Sequence, residues 1–211
     1  MAAKRTRGVG RPENADPEAT RRRILTAARG CFSAQGYAAT TTRMIAEAAG
    51  VAPAAVYHHF GRKPDLMIAV HEDVSVRSQT RITQRTAEAT TAREMVETVL
   101  DVIVEFMEEE PGVTFFEITA FEEARRHPEL APIAEYPVFL GFLDDVIRVG
   151  VASGEIDPTN SETVKLVLFS FFLGFPGMAN HLDLADARRL AEGCKQLIAG
   201  QLFAAVSAAV R

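Results

Sequence analysis

The sequence predicts an all-α fold, and three observations carry that reading. Apolar residues recur at helical spacing along nearly the whole chain. The periodic stretches are punctuated by cap and proline signals at their starts and by glycine, proline or aspartate breaks between them. No convincing stretch alternates apolar and polar residues as a half-buried strand does. The size is compatible: 211 residues, 47% apolar and 24% charged, can bury a core without disulfide staples. That composition excludes a mostly disordered chain, a collagen and a disulfide scaffold.

Each element has a local cause. Asp16-Pro17 reads as an N-cap followed by proline at the first helical position, where a missing N–H costs nothing. Ile24, Ala28, Cys31, Phe32 and Gln35 follow at helical spacing, and Gly36 is suited to end the helix in the left-handed conformation. Thr41 starts a second helix with Met44, Ile45 and Ala48 on one face and Gly50 after it. Pro53 opens a third, short helix through Phe60. Pro64 marks a fourth, running from Asp65 toward Thr90. Further helices are expected at about 92–109, 113–125, 134–153, 161–180 and 184–208, with breaks at Pro111-Gly112, His127-Pro128, Gly154, Asp157-Pro158 and Asp183. In the 161–180 helix, Phe175-Pro176-Gly177 should bend or end it, because proline removes a backbone hydrogen bond.

Charge divides the chain. The formal net charge is −5, yet residues 1–63 hold 11 basic and 4 acidic residues, a balance of +7. The remaining 148 residues hold 12 basic and 24 acidic ones, or −12. A cationic head on an acidic body is the pattern expected where the head meets phosphates. Cys31 and Cys194 stand 163 positions apart with no CxxC partner, so small buried hydrophobes are expected rather than a disulfide framework or zinc site. The basic start, MAAKRTRGVGRPEN, lacks an apolar h-region and is not read as a secretory signal. The longest charge-free apolar stretch, residues 166–180, is shorter than the ~20 residues a bilayer requires. A cytoplasmic protein with no membrane partner is therefore expected.

The most informative stretch is TTTRMIAEAAGVAPAAVYHHFGRK, residues 40–63. It reads as two short helices around a tight turn. Small or apolar Ile45, Ala46, Ala49 and Val51 permit close packing, and Gly50 permits the turn. A helix-turn-helix needs this packing, because its second helix must be held rigidly while one face enters the major groove. Arg43, Ala54, Ala55, Tyr57, His58, His59 and Lys63 are left outward, several of them able to meet phosphates or base edges.

These residues resemble the tetracycline-repressor (TetR/AcrR) family of bacterial regulators. The resemblance rests on Gly36-Tyr37, Thr40-Thr41, Ile45-Ala46, Ala49-Gly50-Val51, Val56-Tyr57-His58-His59-Phe60, Lys63 and Leu66, and it covers roughly residues 20–70. It implies an N-terminal helix-turn-helix three-helix domain at 16–63, followed by a helical effector-binding and dimerisation domain at 64–211. A basic N-terminal arm precedes them at 1–15. Carried over by position, the family's contacts to double-stranded operator DNA fall on Thr41 and Thr42 (phosphate), Arg43 (a base edge, with bidentate guanine as the natural partner), Tyr57 and His59 (phosphate), His58 (base or phosphate) and Lys63 (phosphate). The chain departs from the family pattern at positions 52–55, Ala-Pro-Ala-Ala, where a capping serine and a polar reader are common. Base reading from Pro53, Ala54 and Ala55 is thereby limited to apolar contact, for instance with thymine methyls. Lys4, Arg5, Arg7 and Arg11 either lie along the groove or backbone or form a solvated tail.

In the acidic body, ten of the 13 phenylalanines fall between Phe106 and Phe175. Core packing accounts for any single one, and the resemblance implies a cavity for a small hydrophobic effector, with Phe106, Phe115, Phe116, Phe121, Phe139, Phe142, Phe172 and Phe175 as candidate lining. Glu117, Glu122, Arg125, Arg126 and His127 are available as polar anchors or as a solvated face. The last two helices match the place where the family dimerises. Val164, Leu168, Phe171, Leu190, Cys194, Leu197, Ile198 and Leu202 have the required spacing, with burial inside the monomer as the alternative. A homodimer also suits the DNA reading, since two heads can read a palindrome.

No GxSxG, HExxH, P-loop or GxGxxG is present, and His71, His127 and His181 stand alone. No catalytic set, cofactor or metal site is expected. The sequence thus points to a transcriptional repressor released from a palindromic operator by a small hydrophobic effector. An effector-independent or activating regulator of the same fold is the alternative, and an enzyme the remote one.

Overall fold

The computed structural model of the chain describes residues 16–134, 137–179 and 181–202, and the side chains of all of these except 137–139. No strand occurs among the described residues. The first three helices are α1 (Pro17–Ala39), α2 (Thr42–Ala49) and α3 (Pro53–Phe60). The long α4 (Lys63–Thr86) leads out of them into α5 (Ala92–Glu109), α6 (Val113–Arg126), the one-turn α7 (Ala131–Ala134), α8 (Pro137–Ser153), α9 (Ser161–Ala179) and α10 (Leu184–Ile198). The basic arm at 1–15, the Phe139 side chain and the stretch beyond 202 lie outside the described residues.

The caps explain the boundaries. Glu18 N–H donates to Asp16 Oδ1 at 3.0 Å, with Pro17 at the first helical position. Met44 N–H donates to Thr41 Oγ1 at 3.2 Å, and Gly50, at φ 63°, closes α2 through its N–H. Thr91 and Glu94 form a reciprocal cap on α5. Gly36, at φ 77° and ψ 167°, breaks the helix where the stop is expected, and the short turn at residues 37–39 follows that kink within the range of α1. The expected interruption at Pro176 does not end α9, which continues to Ala179 with Pro176 buried.

Two apolar clusters form the core. The first joins Ile24, Phe32, Ile45 and Val56 of the N-terminal helices to Leu66, Met67 and Val70 of α4, and continues into Phe106, Phe116, Ala120 and Ile133. It therefore crosses the 63/64 boundary without a gap. The second gathers Val96, Val99, Leu100, Leu143, Val146, Phe172, Phe175, Ala187 and Ala191. Glu110, at the end of α5, accepts from both Arg29 of α1 and Arg77 of α4. That ionic junction ties the N-terminal helices to the body a second time.

Residues 158–179 form one helical stretch long and apolar enough, by length and composition, to cross a membrane. The 15-residue charge-free run is shorter because Glu162 and Lys165 lie within this stretch. Phe172 and Phe175 anchor one side of α9 in the second cluster. Its other side leaves Leu166, Val167 and Met178 exposed.

Candidate nucleic-acid interface and internal cavity

The start of α2 and the middle of α3 meet on one surface. The Thr42 Oγ1 and Tyr57 Oη atoms lie 2.9 Å apart, so each hydroxyl fixes the other's rotamer. Thr41 is exposed but its side chain caps α2. Arg43 is exposed in the first turn of α2. On α3, Pro53, Ala54, Tyr57 and His58 are exposed, while Ala55 and His59 are half-buried. The His58 and His59 rings stand edge to face, with centroids 5.5 Å apart. Ala52 provides no side-chain cap, as its methyl dictates, and α3 starts on Pro53 alone. The surface thus offers hydroxyls, one guanidinium and two imidazoles around an apolar first turn.

Lys63 is placed differently from the expectation of a phosphate contact. Its Nζ donates to the carbonyls of Tyr37 at 2.8 Å, Ala38 at 3.3 Å and Thr40 at 3.0 Å, and stands 4.3 Å from the Tyr37 ring centroid. An ammonium has three N–H groups, and all three are used. The unmet carbonyls at the end of α1 are what attract it. Lys63 is a positioning residue that fixes the connection into α2. Arg23 does similar work at the other end of α2, donating to Ala49 O at 3.3 Å and Gly50 O at 3.2 Å. Lys63→Met is therefore expected to lower stability by about 1–2 kcal/mol and to weaken DNA binding, while leaving the salt slope of binding unchanged. A slope reduced by about one in a salt titration would restore the phosphate role.

The body holds a cavity of about 600 Å³. Its walls are unlike one another. α4 lines it with Ser75, Ser78, Gln79, Ile82, Thr83 and Thr86, a nearly continuous polar stripe. α8 and α9 face this with Leu140, Phe142, Phe169, Phe172, Leu173 and Pro176, and α6 adds Thr114, Glu117, Ile118 and Phe121. Of the candidate phenylalanines, Phe121, Phe142 and Phe172 reach the cavity. Phe106 and Phe116 are instead packed in the first core cluster and Phe175 in the second, because neighbouring helices close over them. Phe115 is half-buried and does not line the cavity. Glu117 is the chemically unusual lining group. Its Oε1 is buried with no hydrogen-bond partner, and burial pushes its carboxyl up to about 7 against the weaker opposing pull of Ser78 and Arg77.

Residues 24–70 match the family model described as "Bacterial regulatory proteins, tetR family". Over these residues the chain is similar to the tetR family. The match spans α2 and α3 and the start of α4, the same stretch that presents Arg43 and Tyr57. Over 192 residues, 90% of this chain and 96% of the relative, the chain is 27% identical to the HTH-type transcriptional regulator UidR of Escherichia coli K12. Over 61 residues, 29% of this chain and 32% of the relative, it is 39% identical to the transcriptional repressor AcnR of Corynebacterium glutamicum. The fold is similar to Salmonella enterica GusR, with a TM-score of 0.66 and 23% identity over 89% of this chain and 97% of that one. It is also similar to Bacillus subtilis FadR in complex with stearoyl-CoA, with a TM-score of 0.66 and 21% identity over 82% of this chain and 96% of that one. The chain is a DNA-binding regulator of transcription and not an enzyme.

Sequence reasoning missed most of the cavity's polar wall. Ser75, Ser78, Gln79, Thr83 and Thr86 do recur with helical period, but a polar stripe on a helix reads equally as a solvated face. Glu117 was visible as an anchor, and only the packing of α6 against α4 turns it inward. The dimer candidates also divide. Val164, Leu168, Phe171, Leu190, Cys194 and Ile198 are half-buried against the second cluster, whereas Leu197 and Leu202 are exposed.

Proposed function

We propose that this chain is a homodimeric repressor, and that a small molecule bound in the cavity lowers its affinity for a palindromic operator. The observation that carries the reading is the placement of α4. One 24-residue helix, about 36 Å long, holds the entry to α2 through Lys63 at its start and supplies the cavity's polar wall near its end. A ligand that favours one position of Ser75 to Thr86 over another favours one position of the reading head, and the coupling is bounded by its differential affinity for the two states. The repressor name of the corynebacterial relative and the stearoyl-CoA complex of a structural neighbour agree with repression and with a small-molecule ligand.

In this reading residues 16–63 are the DNA-binding head and 64–211 the effector-binding and pairing body. Thr41, Thr42, Tyr57 and His59 meet phosphates. Arg43 reads a base, His58 meets a base or phosphate, and Pro53, Ala54 and Ala55 make apolar groove contacts. The exposed face of α9, with Leu166, Val167 and Met178, and Leu197 and Leu202 near it in sequence on α10 and beyond, is covered by a second copy. Two heads then read half-sites ~34–36 Å apart.

Footprinting on the DNA that flanks the coding region tests this reading, with an inverted repeat as the expected protected site. Arg43→Ala should cost about 1–3 kcal/mol and relax preference at one base pair in each half-site. Unchanged affinity and preference would remove Arg43 from base reading, and protection without an inverted repeat would remove the two-headed mode.

A further inference from the structure

The composition of the cavity narrows the class of its ligand. Among the described residues that line it there are two carboxylic acids, Glu117 and Asp145, and no lysine, arginine or histidine. Asp145 is exposed and already paired with Arg148 at 2.8 Å. Glu117 is not so provided for. Ser78 hydrogen-bonds the carboxyl, but Arg77, the cation that acts on it, donates to Glu110 and to Asp73, the latter at 3.2 Å. The Glu117 Oε1 atom meets no donor. A buried carboxyl left in this state is costly, and the cost is relieved by a donor arriving with the ligand.

We propose that the effector is an amphiphilic amine, whose ammonium pairs with Glu117 and whose apolar body lies against Phe121, Phe142, Phe169 and Phe172. The inference rests on the reading of this cavity as the effector site. An anionic ligand would put a second negative charge beside Glu117 with no lining cation to balance it. A purely apolar ligand would leave the Glu117 Oε1 atom covered and unpaired. The amine satisfies both walls at once: donors toward Glu117, Ser78 and Thr114, and a flat or branched apolar part toward the phenylalanines.

A matched trio tests this on the full-length protein: 1-pyrenebutylamine, 1-pyrenebutanol and 1-pyrenebutyrate, followed by pyrene fluorescence. The amine should bind roughly tenfold or more tightly than the butyrate, with the alcohol between them. Glu117→Gln, which keeps the shape, should abolish the preference for the amine while the alcohol still binds. Leu173→Trp, which fills the cavity, should weaken all three. Binding of the butyrate or the alcohol as tight as that of the amine, or a preference that survives Glu117→Gln, overturns the amine assignment. If Leu173→Trp still weakens binding in that case, the cavity reading stands without it. Failure of all three to bind the native chain removes both.

Discussion

Replacing Leu166 and Val167 together by glutamate is expected to give a 23.0 kDa monomer with an operator affinity about 10²–10⁴-fold below that of the native chain. Both side chains are exposed on the single chain, at 66% and 61%, so the substitutions leave the fold of each copy intact. In the proposed dimer the same positions are buried, and four carboxylates would be forced together in an apolar seam. The large loss in DNA binding follows from geometry rather than from any lost DNA contact. Once one head is bound, the second meets its half-site at a high effective concentration, and a monomer forfeits that gain. Sedimentation and an operator titration measure the two effects, with circular dichroism as the check on folding. A variant that stays dimeric, or a monomer that binds the operator as tightly as the native chain, would refute the α9 interface or the two-headed mode.

Boundaries set by caps were legible because caps are local. Asp16-Pro17, Thr41, Gly50 and Pro53 act within four residues of themselves, and the structure has them doing so. What was not legible depends on a third partner. The +7 of residues 1–63 counts ammonium and guanidinium groups but not where their hydrogens go. Lys63 and Arg23 serve carbonyls, Arg29 serves Glu110, Arg62 pairs with Asp65, and Arg21 lies 5.2 Å from the Phe60 ring centroid. Much of the cationic head is thus internal scaffolding, and the charge left for phosphates is smaller than the count. The phenylalanines pose the same problem in apolar form. Phe116 and Phe121 share one helix and one residue type, yet one is sealed in the core and the other borders the cavity. On α9, where nearly every residue is apolar, no periodicity separates Phe172, which faces inward, from Leu166, which does not.

Phe116→Ala is expected to cost about 3–5 kcal/mol of stability, because a fully buried aromatic ring leaves a cavity that its neighbours fill only in part. For a chain of this length each kcal/mol moves the melting point by roughly 2–4 °C, so Tm should fall by about 6–20 °C at fixed protein concentration. The loss should be felt by the reading head and the body together. Phe116 belongs to the cluster that also holds Ile24, Phe32 and Ile45, so the N-terminal helices have no core of their own to fall back on. Tyr57, exposed on α3, and the aromatic groups of the body should report one shared transition. Two separate transitions would mean that the continuity across residues 63 and 64 is packing without cooperativity. That outcome would also weaken the proposed mechanism, since a ligand in the body can reposition the head only if the two resist moving apart. The shared cluster, the Glu110 junction with Arg29 and Arg77, and the grip of Lys63 on the end of α1 all provide that resistance. The helix that carries the ligand's polar wall is braced to the helices that carry Arg43 and Tyr57, and a shift at one end has few ways to be absorbed before it reaches the other.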